Sequence, residues 1–241
     1  MIGIITGASS GIGVAIAEVL AQKGHTIYAI SRTGKPKDPQ AVLHENIIHL
    51  KGDICDTLAM EKMVRDIGEK DGINFLINNA GITVKKKAED LTDEEFARVH
   101  KVNVFAPFRM ACLCFPYLKQ TEGKGRIINI SSMASHLGFE LVVPYCSSKG
   151  AILAQTRGLA VEWAQDNITV NSIAPGWFPS ELSKQVLDEK RKAQILGRMP
   201  LHAFGNPKDI GGLASFLLSP EAAYITGCDY PVDGGALAFG F

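Results

Sequence analysis

Runs of β-branched and other apolar residues, five or six long, recur along the chain, separated by longer segments with apolar positions three and four apart. The runs are "IGIIT", "TIYAIS", "NIIHLK", "INFLIN", "RIINIS", "ITVNSI" and "CDYPV", and each is read as a strand. They show little polar alternation, as suits a parallel sheet covered on both faces. In the first intervening segment, "GVAIAEVLAQKG", Ile16, Val19, Leu20 and Lys23 fall at i, i+3, i+4 and i+7, and Gly24 closes the helix. About seven strands alternating with helices over short connections predict an α/β, Rossmann-type doubly wound parallel sheet with helices on both faces. There is no internal repeat, low-complexity tract or Pro/Gly-rich linker, so residues 1–241 are read as a single domain.

Composition narrows the partners. Hydrophobic residues make up 46% and charged residues 21%, enough apolar mass for a large buried core. Lys and Arg number 25, as do Asp and Glu, a balance without the electrostatic footprint of a nucleic-acid or anionic-membrane binder. The basic run in "TVKKKAED" is answered at once by acids and reads as a solvated loop. Charges or glycines interrupt every apolar run before the ~18 residues of a membrane span. The start, "MIGIITGASS", lacks the basic n-region and cleavage site of a signal peptide. Cys55, Cys112, Cys114, Cys146 and Cys228 are odd in number and sit in apolar contexts, so reduced thiols and a cytoplasmic location are expected. The six histidines show no metal-ligand spacing, and no metal is expected.

Candidate chemistry gathers at the ends of the predicted strands. "TGASSGIG", Thr6–Gly13, lies between the first strand and the first helix. Its glycines allow a tight turn, and the free N–H groups and positive dipole end of a helix N-terminus suit a pyrophosphate. Gly7, Ser9, Ser10, Gly11, Ile12 and Gly13 are the phosphate-facing candidates, in a T-G-x-x-x-G-x-G spacing rather than G-x-G-x-x-G or a Walker loop. The second strand ends at Ser31, followed by Arg32 with Lys35 nearby. An acid here would bind ribose hydroxyls, whereas arginine suits a 2′-phosphate, so NADP(H) is favoured over NAD(H). "GDICD" places Asp53 and Ile54 beyond the third strand, where the carboxylate can accept from an adenine amino group. "INNAG" brings Asn79, Ala80 and Gly81 to the end of the fourth, small enough for close cofactor approach. Asn103 falls within a long helix, and Ser131 and Ser132 end the fifth strand. "VVPYCSSKGA" sets Tyr145 and Lys149 one helical turn apart, where an ammonium can favour the phenolate and lower the phenol's pKa.

In order and spacing these motifs resemble the short-chain dehydrogenase/reductase family, in its short single-domain branch. The resemblance runs from "TGASSGIG" through "NNAG", Asn103, the serine, "YCSSK" and "APG" to "VDGG". The family's serine precedes its tyrosine by thirteen positions, which selects Ser132 over Ser131. The resemblance implies a catalytic set of Asn103, Ser132, Tyr145 and Lys149 and reversible NAD(P)-dependent alcohol–carbonyl chemistry. It further implies that Pro175, Gly176, Phe178 and Ser180 flank the nicotinamide, that Lys149 holds its ribose, and that residues 177–200 cover the substrate. A homotetramer or homodimer is the implied assembly, with the apolar "GGALAFGF" available to a partner.

The substrate side is mainly apolar, with Ser132, Tyr145 and His136 as the residues facing a small carbonyl or alcohol. Cys146 reads as a packed thiol. Pro107, four residues after Asn103, lacks an N–H and crowds the Asn103 carbonyl. The expectation is a kink whose freed carbonyl holds a water linking Lys149 to solvent, matching the family's proton relay. A non-catalytic dinucleotide sensor keeps the glycine turn without turnover. An epimerase or dehydratase shares the Tyr–Lys pair but usually carries a larger substrate domain.

Overall fold

The computed structural model describes residues 1–37, 44–178 and 189–239. Seven strands form one parallel sheet: β1 (Ile2–Thr6), β2 (Thr26–Ser31), β3 (Ile47–Lys51), β4 (Phe75–Asn78), β5 (Gly125–Ile130), β6 (Ile168–Pro175) and β7 (Asp229–Val232). Their spatial order is β3-β2-β1-β4-β5-β6-β7, so the connection reverses between β1 and β4. In doubly wound sheets the ligand crevice opens at such a reversal, at the carboxyl ends of the strands.

Each face of the sheet carries its own core. On one face, Ile4, Leu76, Ile127 and Val170 pack against α2 (Thr57–Asp71), α4 (Ala106–Leu118) and α5 (Val143–Glu162). On the other, Ile5, Ile27, Ile77, Ile128 and Ile173 meet Ile16 and Leu20 of α1 (Gly11–Gln22). Ile210, Ala214 and Leu217 of a late helix, Pro207–Leu218, close that same face. Alternate residues of one strand thus enter opposite cores, which is why the strand sequences are apolar throughout.

The remaining helices frame the site. α3 (Asp93–His100) starts on a capping box, with Thr92 and Glu95 each accepting from the other's backbone N–H. A π-helical turn, Lys101–Phe105, joins it to α4, and the Ala106 N–H reaches back to the Lys101 carbonyl. Glu189–Gly197 forms α6, so Pro207–Leu218 is α7. Ile195 and Met199 turn inward there, which gives the segment an amphipathic character. Residues 179–188 of the expected covering segment lie outside the described residues, as do Ser180 and the final two residues of "GGALAFGF". Among the described residues, no helix is long and apolar enough to cross a membrane.

Several strand ends shift by one or two residues from the quoted runs, and two departures from expectation have visible reasons. The fourth strand begins at Phe75 rather than Ile73, because the Asn74 side-chain oxygen takes the Ile2 N–H at 2.7 Å. Near Pro107 the helix widens into the π turn rather than merely kinking. A proline ring crowds the preceding turn, and an i→i−5 turn gives it room. The Pro107 carbonyl accepts from Asn78 Nδ2 at 3.2 Å.

Candidate active site at the carboxyl rim

The glycine turn is shaped by close backbone approach. Gly7 has φ +70°, and a Cβ on it would lie 2.7 Å from the Ala80 Cα. A Cβ on Gly13 would lie 2.5 Å from Asn79 Nδ2. That amide donates to the Thr6 and Gly7 carbonyls, while the Thr6 hydroxyl accepts from the N–H groups of Asn79 and Ala80. Thr6 and Asn79 therefore lock the first crossover to the end of β4. Thr6 is thus a structural member of the turn beyond the candidates named from sequence, marked only by its place at the head of the glycine motif.

Ser10 caps α1 in extended geometry without a side-chain hydrogen bond, so its hydroxyl claims none of the first-turn N–H groups. Those unclaimed donors, over a turn with no room for side chains, fit a pyrophosphate. Ser9 is held from behind, its carbonyl accepting from the Lys37 N–H at 2.8 Å. Ile12 packs partly into the core.

Beyond β2, Ser31 is buried and its hydroxyl accepts from the Gly34 N–H at 3.1 Å. This tight turn leaves Arg32 exposed, with no carboxylate at ion-pair distance among the described residues. Asp53 Oδ1 accepts from the Cys55 N–H at 2.9 Å, and Ile54 packs against the adjoining core. At the other end, the Gly176 N–H donates to the Val232 carbonyl at 2.9 Å, which fixes the Pro175–Gly176 turn. Phe178 sends its ring into the core against Gly205, which leaves its backbone to face a cofactor.

Asn103, Ser132, Tyr145 and Lys149 converge beside this rim. A Cβ on Gly81 would lie 3.4 Å from Asn103 Oδ1 and 3.7 Å from Lys149 Nζ, which ties the β4 end to both. The Asn103 side chain is fully engaged: it accepts from the Ile82 N–H at 2.8 Å and donates to the Ile82 carbonyl and Ser148 Oγ. Ser148 in turn donates to the Tyr145 carbonyl at 2.8 Å. This geometry makes Asn103 a brace between the β4 loop and α5, with no amide hydrogen left over for a substrate.

Lys149 is buried, donates to the Ile130 carbonyl at 2.7 Å and stands 5.6 Å from the Tyr145 ring centre. Burial pushes its ammonium down to about 8. Tyr145 departs from the sequence expectation. Burial holds its phenol above the ordinary value; the hydrogen bond with Ser132 offsets part of that, and the nearby Cys146 thiol adds to the rise. The cost of desolvating a phenolate outweighs what a cation one helical turn away offers it.

His136, named as a substrate-facing residue, is about one-third exposed, and its Nε2 pairs with Asp229 Oδ2 at 2.7 Å. Phe139 and Trp177 meet edge to face at 6.2 Å, so the loops after β5 and β6 share an aromatic wall.

A reversing parallel sheet whose rim joins a glycine turn shaped to fit a pyrophosphate to a Ser–Tyr–Lys group is the arrangement of a dinucleotide-dependent oxidoreductase. The chain belongs to the short-chain dehydrogenase/reductase family. A family model described as enoyl-(acyl carrier protein) reductase matches residues 7–236. A 3-oxoacyl-[acyl-carrier-protein] reductase of Rickettsia felis is 37% identical, covering 97% of this chain and 95% of its own. An NAD-dependent glycerol dehydrogenase of Listeria innocua is 35% identical, over 97% and 92%. The RhlG/NADP active-site complex of Pseudomonas aeruginosa superposes with a TM-score of 0.87 at 28% identity, over 98% and 95%. A nicotinamide dinucleotide is therefore the cofactor class, and alcohol or carbonyl groups are the reacting class.

Proposed function

We propose that this protein transfers hydride between NADP(H) and a small carbonyl or secondary alcohol, with Tyr145 as general acid and base. The observation carrying this reading is the convergence of the Tyr145 phenol with the Ser132 hydroxyl and the Lys149 ammonium at the rim. The cofactor, when bound, supplies or accepts the hydride. Tyr145, protonated because burial disfavours its phenolate, donates to the carbonyl oxygen during reduction and takes the proton back during oxidation. Ser132 donates a hydrogen bond to that oxygen as negative charge develops on it. Lys149, with a pKa near 8, holds the ribose hydroxyls and exchanges its proton near neutrality. A water on the Asn103 carbonyl continues that path to solvent, since Pro107 has no N–H to offer it.

Preference for NADP(H) over NAD(H) rests on Arg32, exposed at the β2 end with no carboxylate at ion-pair distance among the described residues. Residues 177–200 act as a lid, and the inward Ile195 and Met199 support that role. The reading extends to a cytoplasmic homotetramer. Phe105 and Phe108 are exposed on the π turn and α4, and Val143 is exposed at the start of α5, apolar side chains available to a second copy. A monomer by light scattering at micromolar concentration would remove the assembly.

The test is a panel of 3-oxoacyl thioesters, keto-sugars and cyclic ketones assayed with NADPH and NADH, following absorbance of the reduced cofactor. Oxidation of NADPH with at least one class, lost in Tyr145→Phe, supports the reading. Cofactor binding with no turnover on any class points to a dinucleotide sensor instead.

A further inference from the structure

Asp229 opens the edge strand β7 and is almost fully buried. Strand pairing sets it opposite Ser172 of β6. Its Oδ1 accepts from Ser172 Oγ at 2.5 Å and from Ser131 Oγ at 2.7 Å, and its Oδ2 pairs with His136 Nε2 at 2.7 Å. The Ser131 hydroxyl has two acceptors within reach, Asp229 Oδ1 at 2.7 Å and the Ile173 carbonyl at 2.9 Å, and the carboxylate is the nearer and the stronger.

These contacts surround one short stretch. Ser131 immediately precedes Ser132, and His136 follows the 3-10 turn Met133–Ser135 that Ser132 caps. Within the stretch, Ser132 Oγ accepts from the Ala134 N–H at 3.1 Å, and the Ser135 hydroxyl donates to the Lys149 carbonyl at 2.9 Å. We propose that Asp229 is a positioning residue for Ser132: one buried carboxylate grips the chain on both sides of that hydroxyl, through Ser131 and through His136.

A carboxylate requires hydrogen on the facing His136 nitrogen, so Asp229 also sets the imidazole's orientation. On this proposal the effect of Asp229 passes through where Ser132 aims. The inference rests on the reading of Ser132 as the hydrogen-bond donor to the substrate oxygen. A misplacement of ~1 Å at such a group can cost up to about 100-fold in rate.

Asp229→Asn keeps the shape and the Oδ1 acceptor but removes the charge holding His136. It is expected to lower kcat about 10-fold or more while leaving KM and the NADPH dissociation constant, read by fluorescence, within about twofold. In a Ser132→Ala background the same substitution should change kcat less than about twofold, because the group being aimed is gone. Equal losses in both backgrounds, or no loss in either, overturn the proposal. A crystal structure of Asp229→Asn gives a readout independent of turnover: displacement of the Ser132 hydroxyl supports the grip, and an unmoved hydroxyl overturns it. If Asp229→Asn does not fold, His136→Gln cuts one arm at a part-exposed position and enters the same comparison. Tyr145→Phe separates the two layers: full turnover there sinks the catalytic reading itself, whereas a dead Tyr145→Phe beside an additive Asp229 effect sinks only the grip.

Discussion

The Lys149 ammonium lies 5.6 Å from the centre of the Tyr145 ring and hydrogen-bonds the carbonyl of Ile130, the last residue of β5. The amine is thereby anchored to the strand that leads into Ser132, and the helix carrying Tyr145 is held to that strand by the same bond. Replacing Tyr145 by Phe removes only the hydroxyl, so the packing of α5 should persist. Steady-state assays should find kcat reduced roughly 10²- to 10⁴-fold, the usual contribution of a proton-transferring side chain. NADPH binding by fluorescence should stay within about twofold.

Lys149 also links stability to pH. Its folded pKa is near 8, below the ordinary lysine value, so between about 8 and 10.5 the unfolded chain holds a proton that the folded chain has released. Stability rises with pH wherever the unfolded state binds more protons. The penalty for burying the ammonium is therefore present below pH 8 and relieved as pH climbs through that window. Denaturant melts of wild type and Lys149→Met should show wild type gaining on the variant from pH 8 to 10, by at most ~1.4 kcal/mol per pH unit. A constant difference over that range would place the buried amine's pKa elsewhere.

Arg32 offers a test of cofactor choice. A charge-assisted hydrogen bond to phosphate contributes about 1.5–3 kcal/mol, which corresponds to roughly 10- to 100-fold in affinity. Arg32→Ala should lower kcat/KM for NADPH by that order and leave kcat/KM for NADH nearly unchanged. Equal losses with both cofactors would assign Arg32 a role other than reading the 2′-phosphate.

Gly13 is the tightest point of the phosphate turn on the helix side. A methyl there would lie 2.5 Å from Asn79 Nδ2 and 2.6 Å from the Gly7 carbonyl oxygen. Gly13→Ala must push Asn79 away from the turn it braces, at the ~1–3 kcal/mol typical of overpacking. A lower Tm together with weaker dinucleotide binding is the expected outcome. Gly24→Ala is a useful contrast, since its φ of +83° penalises a side chain but no atom lies within 4 Å. Its loss should fall on stability alone.

Much of this architecture was legible because a buried parallel strand leaves a plain signature. Ile2–Thr6 and Thr26–Ser31 match the predicted runs residue for residue. The strand-end motifs were readable for a related reason: small residues and glycines mark where backbone must come close, as at Gly7 and Gly13. Three features were not legible. The ammonium of Lys149 announced a stabilising charge, but how deeply Tyr145 is buried depends on packing that no local pattern encodes. The position of Phe178 suggested a place near the cofactor but did not tell that its ring turns inward to complete the core against Gly205. Asp229 and His136 are 93 positions apart, and only the order in which strands stack brings them together.

The widened turn at Lys101–Phe105 makes the neighbourhood of Asn103 a matter of counting. A helix advances ~100° per residue, so the extra residue in this turn sets α3 and α4 in different rotational phase. Deleting one position there would swing the side chain bracing Ile82 and Ser148 away from both, even with every neighbouring residue retained. Evolution can exchange the exposed side chains Lys101 and Phe105 along this stretch, but it cannot change the number of links in it without dismantling the joint on which α5 leans.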